Sequence, residues 1–446
     1  MLTKIKNKLS GNSLKTRFLR GSIWLAVGNI IEKILAFVSK IILARLLMPE
    51  ELGVIVLIAS ITGLFECLTE VGVKQSIIQN KKGDTFDFLN MAWWFQAIRG
   101  CGLFMLAWFL SPWVCQFYFE GKEQVLARYD WPTLFAMVRL AFLSVLFNGF
   151  ISPRAYLLEK QFKFGRVVGY MQSSALTGTI LTIVLSFVLR NAWAMVLGFV
   201  CQIFLRMVIS YIFCPFRPII RFHRDSWREI MRFAKGMWGS SFFAYIAYSI
   251  DVLVGGKVLE PELIGLYGFA VGLAYIPREL FGRIINPVLM PAFAERQDDP
   301  DKLRKTIGRL TSHLILFSLP VIVLCFLFHS QIVTTIYGKS FEPVTLVFAI
   351  LTINVLLIML SMIFVNLFMA VGKPEINRNY TFVRAIVLVC LTLPAVKIYG
   401  LIGMVLIQVI SNIALLMLFI YYTRKLVSLS IVNMIPPLFF KKILTK

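Results

Sequence analysis

The stretch RLLMPEELG (Arg45–Gly53) returns in altered form as KVLEPELIG (Lys257–Gly265). Pro49 and Pro261 stand 212 positions apart, as do Glu50 and Glu262, and Gly53 and Gly265. Each copy follows an apolar run of about twenty residues, the length that crosses a hydrocarbon core. Working outward from them, twelve such runs are found. The first six are Ile23–Leu43, Gly53–Val73, Phe88–Leu110, Pro132–Ile151, Val167–Leu189 and Ala192–Cys214. The second six are Gly236–Gly255, Leu263–Phe281, Leu310–Phe328, Val344–Ala370, Phe382–Val396 and Leu401–Tyr422, of which Phe382–Val396 is short and crossed by Pro394. The two copies close runs one and seven. Six is even, so both halves share an orientation and form a parallel repeat about an axis along the membrane normal. The expected fold is an all-α polytopic membrane protein of about twelve helices in two six-helix lobes.

Composition agrees. Hydrophobic residues make up 58% of the 446 and charged residues 15%, and the mean hydropathy is +0.78. An average soluble domain holds roughly 45–50% apolar and about 25% charged residues, so lipid is the expected solvent. The net charge of +23 reads as a topology signal. Lys and Arg crowd the loops on the N-terminal side; the opposite loops hold only Arg45, Lys122, Arg128, Arg190, Lys257, Lys339 and Lys397. That alternation marks the cytoplasmic face and puts both termini there. The basic loops suit anionic headgroups of membrane lipids, and nucleic acid is not needed to explain them. Met1–Arg20 is basic and leads into a run too long for a signal-peptide core, without a small-residue cleavage site, which predicts an uncleaved first span. The seven cysteines form no CxxC pair and read as packing residues.

Between the halves, residues 215–235 (PFRPIIRFHRDSWREIMRFAK) place Trp227, Ile230, Met231 and Ala234 at helical spacing, with Arg221, Arg224, Arg228 and Arg232 elsewhere around the segment. This predicts an amphipathic helix on the cytoplasmic interface. The expected division is an N-terminal lobe over 1–217, this linker over 218–235, a C-terminal lobe over 236–423 and a basic cytoplasmic tail over 424–446. Within the tail Leu429–Phe440 is too short to cross and reads as interfacial.

Two sets of strings resemble the polysaccharide transporters of the MOP superfamily, the Wzx-type lipid-linked oligosaccharide flippases, and especially exporters of the colanic-acid type. In the first half they are IILARLLMPEELGVIVL (Ile41–Leu57) and LTEVGVKQSIIQNK (Leu68–Lys81). In the second they are YSIDVLVGGKVLEPELIGLYGFAVGLAYIPREL (Tyr248–Leu280) and VLMPAFAERQDDPDKLRK (Val288–Lys305). With the span pattern, the resemblance covers roughly residues 14–423. It implies two lobes in a V shape, alternating access, a bacterial inner-membrane location and a cargo of oligosaccharide on undecaprenyl diphosphate. Other polysaccharide-assembly membrane proteins are implied partners. Family members often carry two further spans, and Glu70 stands where relatives often have Asp.

Charged side chains at the bilayer centre are expensive, by about 2.5–3.5 kcal/mol on insertion scales. Those within spans therefore need a partner, a wet cavity or a purpose. Arg99 lies near the middle of span three, Arg206 in span six and Arg139 near the outer end of span four. Lys33 and Lys40 share a face of span one with Asn29, next to Glu32; Thr62, Glu66, Thr69 and Glu70 follow in span two. In the second half Asp251 sits in span seven, with Arg278 and Arg283 toward the inner end of span eight. The implied diphosphate cargo would be held by charge-assisted hydrogen bonds, for which Lys33, Arg99, Arg139, Arg206 and Arg278 are the candidates. Glu32, Glu66 and Asp251 are candidates for coupling to H+ or Na+. For each charge the alternative is pairing with a neighbouring opposite charge or snorkelling to the interface; Arg283 and Glu70 fit the latter best.

No cofactor, metal or enzymatic site is expected. Gly338-Lys339-Ser340 ends like a P-loop, but Val333 occupies the required earlier glycine position. His223, His313 and His329 lack metal-ligand spacing, and no GxSxG occurs. A membrane-embedded polysaccharide polymerase or ligase would need a large outer loop, and the longest here, Ser111–Trp131, has about twenty residues. A drug/cation antiporter of the same superfamily predicts an acidic cavity, against the basic bias of the first half. A lipid II flippase is the nearer alternative.

Overall fold

Proline and acidic residues open several helices of this chain, and close crossings at glycine pack some of them. The computed structural model describes residues 14–70, 72–161, 163–237 and 239–427; most of the expected tail, Leu429–Phe440 included, falls outside them. The described residues form helices and connecting turns, divided into two units, Met1–Tyr245 and Ile246–Lys446.

The first unit contains α1 (Leu14–Leu46), α2 (Pro49–Thr69), α3 (Val73–Gln79), α4 (Phe86–Phe119), α5 (Glu123–Leu126), α6 (Trp131–Gly149), α7 (Arg154–Lys160), α8 (Phe164–Leu189), α9 (Ala192–Phe213) and α10 (Arg224–Met237). The first repeat motif opens α2: Met48 is extended, Pro49 takes the first helical turn, and Glu50 and Glu51 place acid there, where a missing N–H and the helix dipole favour them. Asp130 caps α6 by accepting from the Thr133 N–H at 3.2 Å. Asn191 does the same for α9 with the Trp193 N–H at 3.1 Å.

Helix α4 crosses α6 with its backbone almost in contact. A Cβ at Gly149 would lie 2.6 Å from the Gln96 carbonyl oxygen and 3.2 Å from the Gly100 Cα. Glycine allows that approach, as small residues do in membrane helix pairs. Gly149→Leu is expected to destabilise the first unit by about 1–3 kcal/mol, the usual range for overpacking. Thermal unfolding in detergent would read this as a lowered midpoint; an unchanged midpoint would show that the crossing can loosen without loss.

The amphipathic segment forms α10, but its apolar face is taken up by protein. Ile230 and Ala234 are buried, and Ile230, Trp227 and Met231 pack with Val73 and Ile77 of α3 and Phe88 of α4. The Asn80 Nδ2 donates to Glu229 Oε2 at 2.6 Å. The chain leading to α10 is tied as well: Asn90 accepts from the Ile219 N–H at 3.0 Å and donates to the Ile219 and Arg221 carbonyls. The expected face turned to the bilayer is thus a docking face. Periodicity reveals that a helix has an apolar side but not what covers it.

The second unit contains α11 (Ser240–Val258, begun in the first unit), α12 (Pro261–Ala274), α13 (Ile276–Ile284), α14 (Asn286–Ala294), α15 (Pro300–Leu327), α16 (His329–Tyr337), a 3-10 turn (Lys339–Val344), α17 (Thr345–Ala370) and α18 (Pro374–Val427). Its core gathers on α17, where Phe364 and Phe368 meet Phe419 of α18 and Phe293 of α14. The second repeat motif opens α12 with Pro261 at its start and Glu262 in the first turn.

Nine of the described helices are long and apolar enough to cross a membrane. Span eight is interrupted at Tyr275, which separates α12 from α13. Spans eleven and twelve both lie in α18, where Gly400 at φ 57° and ψ −135° breaks the helical path; a left-handed φ of that kind favours glycine. Span eleven is longer than Phe382–Val396, because the helix begins at Pro374 and runs through Pro394. Proline is tolerated inside such helices when neighbours meet the freed backbone groups.

Candidate functional site

Arg99 and Arg206 come together in the first unit. Arg99, on α4, places its Nη1 3.0 Å from Glu70 Oε2. The carboxylate that meets it is the one that fitted an interfacial role. The reason is local. Helix α2 ends at Thr69, and Glu70 turns into extended backbone at φ −70°, ψ 118°. Its other oxygen accepts from the Gly72 N–H at 3.0 Å, which fixes the carboxylate. Glu66, still inside α2, instead accepts from Asn148 Nδ2 of α6.

Arg206, on α9, lies within electrostatic reach of the Tyr170 hydroxyl of α8. Tyr156 of α7 lies within electrostatic reach of Arg99, Arg206 and Glu70, and its hydroxyl accepts from Gln96 Nε2 at 3.4 Å. Tyr156 stands outside the spanning helices. Burial pushes its phenol up from the ordinary value, and the Gln96 bond and the two arginines act in the opposite direction. The hydroxyl therefore keeps its proton and can donate it. The guanidinium Nε of Arg99 and of Arg206 is in each case buried with no hydrogen-bond partner among the described residues. The Glu70 carboxylate pairs with Arg99, and both guanidinium groups keep donor capacity in reserve. Such a cluster can hold an oxyanion.

The other expected binding cations lie elsewhere. Arg139 braces α4 where Pro112 has no N–H to offer the Trp108 carbonyl. Its Nε donates to that carbonyl at 3.3 Å and to Ser111 Oγ at 2.9 Å, and its guanidinium covers the Trp108 ring at 4.4 Å. These contacts account for Arg139 without a ligand. Lys33 and Glu32 are half-buried on α1. Asn29, expected on the same face, has a side chain outside those described.

In the second unit Asp251 of α11 is buried, 5% exposed. It accepts from the Tyr267 hydroxyl and from the Val252 N–H at 2.9 Å. Arg278 of α13 lies over the rings of Tyr248 and Tyr275, at 4.2 and 5.4 Å, in cation–π geometry. Arg283 is exposed. Arg384 of α18 donates to Gln408 Oε1 at 3.0 Å and to Ser411 Oγ at 3.2 Å. Sequence reasoning missed Arg384, because reading span eleven from Phe382 left it at a span end. Extending the helix back to Pro374 would have marked it as a charge inside a span. Tyr156, Tyr170 and Gln96 carried no signal in the sequence.

Comparison with known proteins places this geometry. A family model described as polysaccharide biosynthesis protein matches residues 42–346. The chain is 25% identical over 411 residues to the lipopolysaccharide biosynthesis protein WzxC of Escherichia coli (strain K12), covering 90% of this chain and 80% of that one. It is 25% identical over 388 residues to an uncharacterized membrane protein in the cps region of Klebsiella pneumoniae, covering 84% and 76%. Among solved structures it is similar to the lipid II flippase MurJ in an inward closed conformation, with a TM-score of 0.74, 14% identity, and 92% and 89% of the two chains covered. An inward-facing multidrug resistance MATE transporter of the MOP superfamily gives a TM-score of 0.63 at 16% identity, covering 91% and 98%. These structures share the fold; at such identities they say nothing of cargo.

Proposed function

The chain belongs to the polysaccharide biosynthesis protein family, and from that premise we propose that it flips an oligosaccharide linked to undecaprenyl diphosphate from the cytoplasmic to the periplasmic leaflet of the bacterial inner membrane. It is a multi-pass membrane protein and a transporter; no bond is made or broken. The family match over both copies of the repeat carries this reading. The first-unit cluster of Arg99, Arg206 and Tyr156 supports it, since a diphosphate or acidic sugar leaving water needs donors and positive charge in a region of low dielectric. A cationic drug would meet the wrong sign there, which disfavours the MATE-like reading.

In this reading Arg99 and Arg206 hold the anionic part of the cargo, with Lys33 and Arg278 elsewhere on its path. Asp251, Glu66 and Glu32 are the groups to take up H+ or Na+, and Asp251 has the most enclosed setting of the three. The basic loops face anionic lipids, and other polysaccharide-assembly membrane proteins receive the product.

The test is made on lipids from cells depleted of this protein. Mass spectrometry would identify polyprenyl-diphosphate glycans, and a periplasmic glycosidase would report their leaflet. One complete repeat unit, accumulated and shielded from the glycosidase, is the expected result. Units that reach the periplasm yet stay unpolymerised would assign the chain a step after translocation. Accumulation of lipid II alone would favour the lipid II flippase.

A further inference from the structure

A second pair of arginines stands in the second unit, on either side of a polar network. Asn412 Nδ2 donates to Asn354 Oδ1 at 2.7 Å, and Asn354 Nδ2 donates to the Tyr275 hydroxyl at 3.4 Å. The Tyr275 ring lies under Arg278. Asn412 follows Ser411, the residue that accepts from Arg384 Nε. Gln408, Ser411 and Asn412 occupy one face of α18 at helical spacing, all three buried. The network thus reaches from Tyr275, beneath Arg278, across α17 to α18, where Gln408 and Ser411 hold Arg384.

This network is incomplete as it stands. The Arg278 Nε–H is buried with no hydrogen-bond partner among the described residues. Native interiors rarely leave such groups unmet without a reason. Arg384 bonds through its Nε and Nη2, whereas a guanidinium carries five N–H donors. Spare donors thus lie on two helices, the two arginines within electrostatic reach of each other. The carboxylate within electrostatic range of Arg384 is Asp251, whose oxygens already accept from Tyr267 and Val252.

We propose that Arg384 and Arg278 form an anion site in the second lobe, for a phosphate or carboxylate oxyanion, and that the charge on Asp251 sets its affinity. The proposal rests on the transport reading only in taking Asp251 as the cation-accepting group. The groups that face Asp251 are Tyr267 of α12, Tyr275 at the α12–α13 break and Arg384 of α18. Glu279 also lies within electrostatic reach of Arg278, so with Asp251 ionised the two guanidinium groups and two carboxylates balance. With a proton or a sodium ion on Asp251, the same locus carries a net charge of one. An anion is then held more strongly, and by reciprocity its arrival strengthens cation binding. Cation and anion would load together, and Arg384 is the residue that joins them.

The full chain in lipid nanodiscs would be titrated by calorimetry with farnesyl diphosphate and, separately, with glucuronate. Asp251→Asn keeps an oxygen for Tyr267 and removes the charge; it is expected to tighten the probe by about tenfold, within the usual span of coupling between sites. Arg384→Gln is expected to weaken the probe by about tenfold and to erase the effect of Asp251→Asn in the double variant. Arg384→Lys, of the same charge, should recover part of the binding and controls for folding. Binding of farnesyl diphosphate alone would assign the site to the lipid headgroup; binding of glucuronate alone would assign it to the sugar. Binding of neither probe, or unchanged affinity in Arg384→Gln or Asp251→Asn, would overturn the proposal. The glycosidase assay judges transport independently. Linkage without translocation would sink the flippase reading and keep the site; translocation without linkage would do the reverse.

Discussion

Replacing Arg99 with alanine is expected to cut export to a small fraction while the amount of protein in the membrane stays normal. Arg99 is 11% exposed in its side chain and pairs with Glu70 at 3.0 Å, while its Nε–H is buried without a partner. A hydrogen bond to a charged group contributes about 1.5–3 kcal/mol, so losing this anchor should slow translocation by roughly 10- to 100-fold. The ion pair itself offers a competing, purely structural account, and Glu70→Gln separates the two. If Arg99 serves the cargo, Glu70→Gln retains export, because the guanidinium remains and loses a competitor. If the pair only holds α2 to α4, both variants should lose membrane protein together. Surface polysaccharide measured against an immunoblot of the membrane fraction gives both quantities. Normal export in Arg99→Ala would remove Arg99 from the site.

The second large effect belongs to Glu51, in the first repeat motif. Its carboxylate is fully buried, with Arg128 Nε 2.6 Å from Oε1. Tyr129, through its hydroxyl, and the Ala192 N–H at the start of α9 both donate to Oε2. One side chain thus ties the first turn of α2 to the loop before α6 and to the opening of α9. Arg128 is 40% exposed, so its attraction is weakened by water. The greater loss in Glu51→Ala comes from leaving two buried donors unmet, together with an abandoned arginine. Removing one partner from such an arrangement costs about 3–5 kcal/mol. A fall in the thermal midpoint of the detergent-solubilised protein is expected, with Glu51→Gln intermediate because it keeps one acceptor. Equal stability of all three proteins would show that Tyr129 and Ala192 find other partners. Burial also pushes the Tyr129 phenol up, and its bond to Glu51 acts the same way, so the tyrosine remains a donor across ordinary pH.

Much of this was legible before any fold was seen. The repeat motif at Pro49 and Pro261 opens a helix in each half, because proline at a helix start and an acid in the first turn act on local backbone alone. Arg99 and Arg206 stood out as charges in apolar runs, and they do share a cluster. Their partners did not stand out. Glu70 lies 29 residues from Arg99, and Glu66 was as good a partner by position along α2. Only the extended backbone at the end of α2 turns Glu70 toward α4 and leaves Glu66 to Asn148. Arg139 shows the same limit, since a charge in a span calls for a partner, and its partners are a backbone carbonyl and a serine hydroxyl beside a proline on another helix.

Solvent class, the two-part repeat, the helix starts and the inventory of intramembrane charges follow from the order of residues. Hydropathy, capping and charge excess act over a few residues and simply accumulate along a chain. Which face of α10 is covered, how far span eleven extends, and which charges answer one another were decided by tertiary structure. Those are contacts between residues distant in sequence, governed by distance and desolvation, and a linear pattern carries neither quantity.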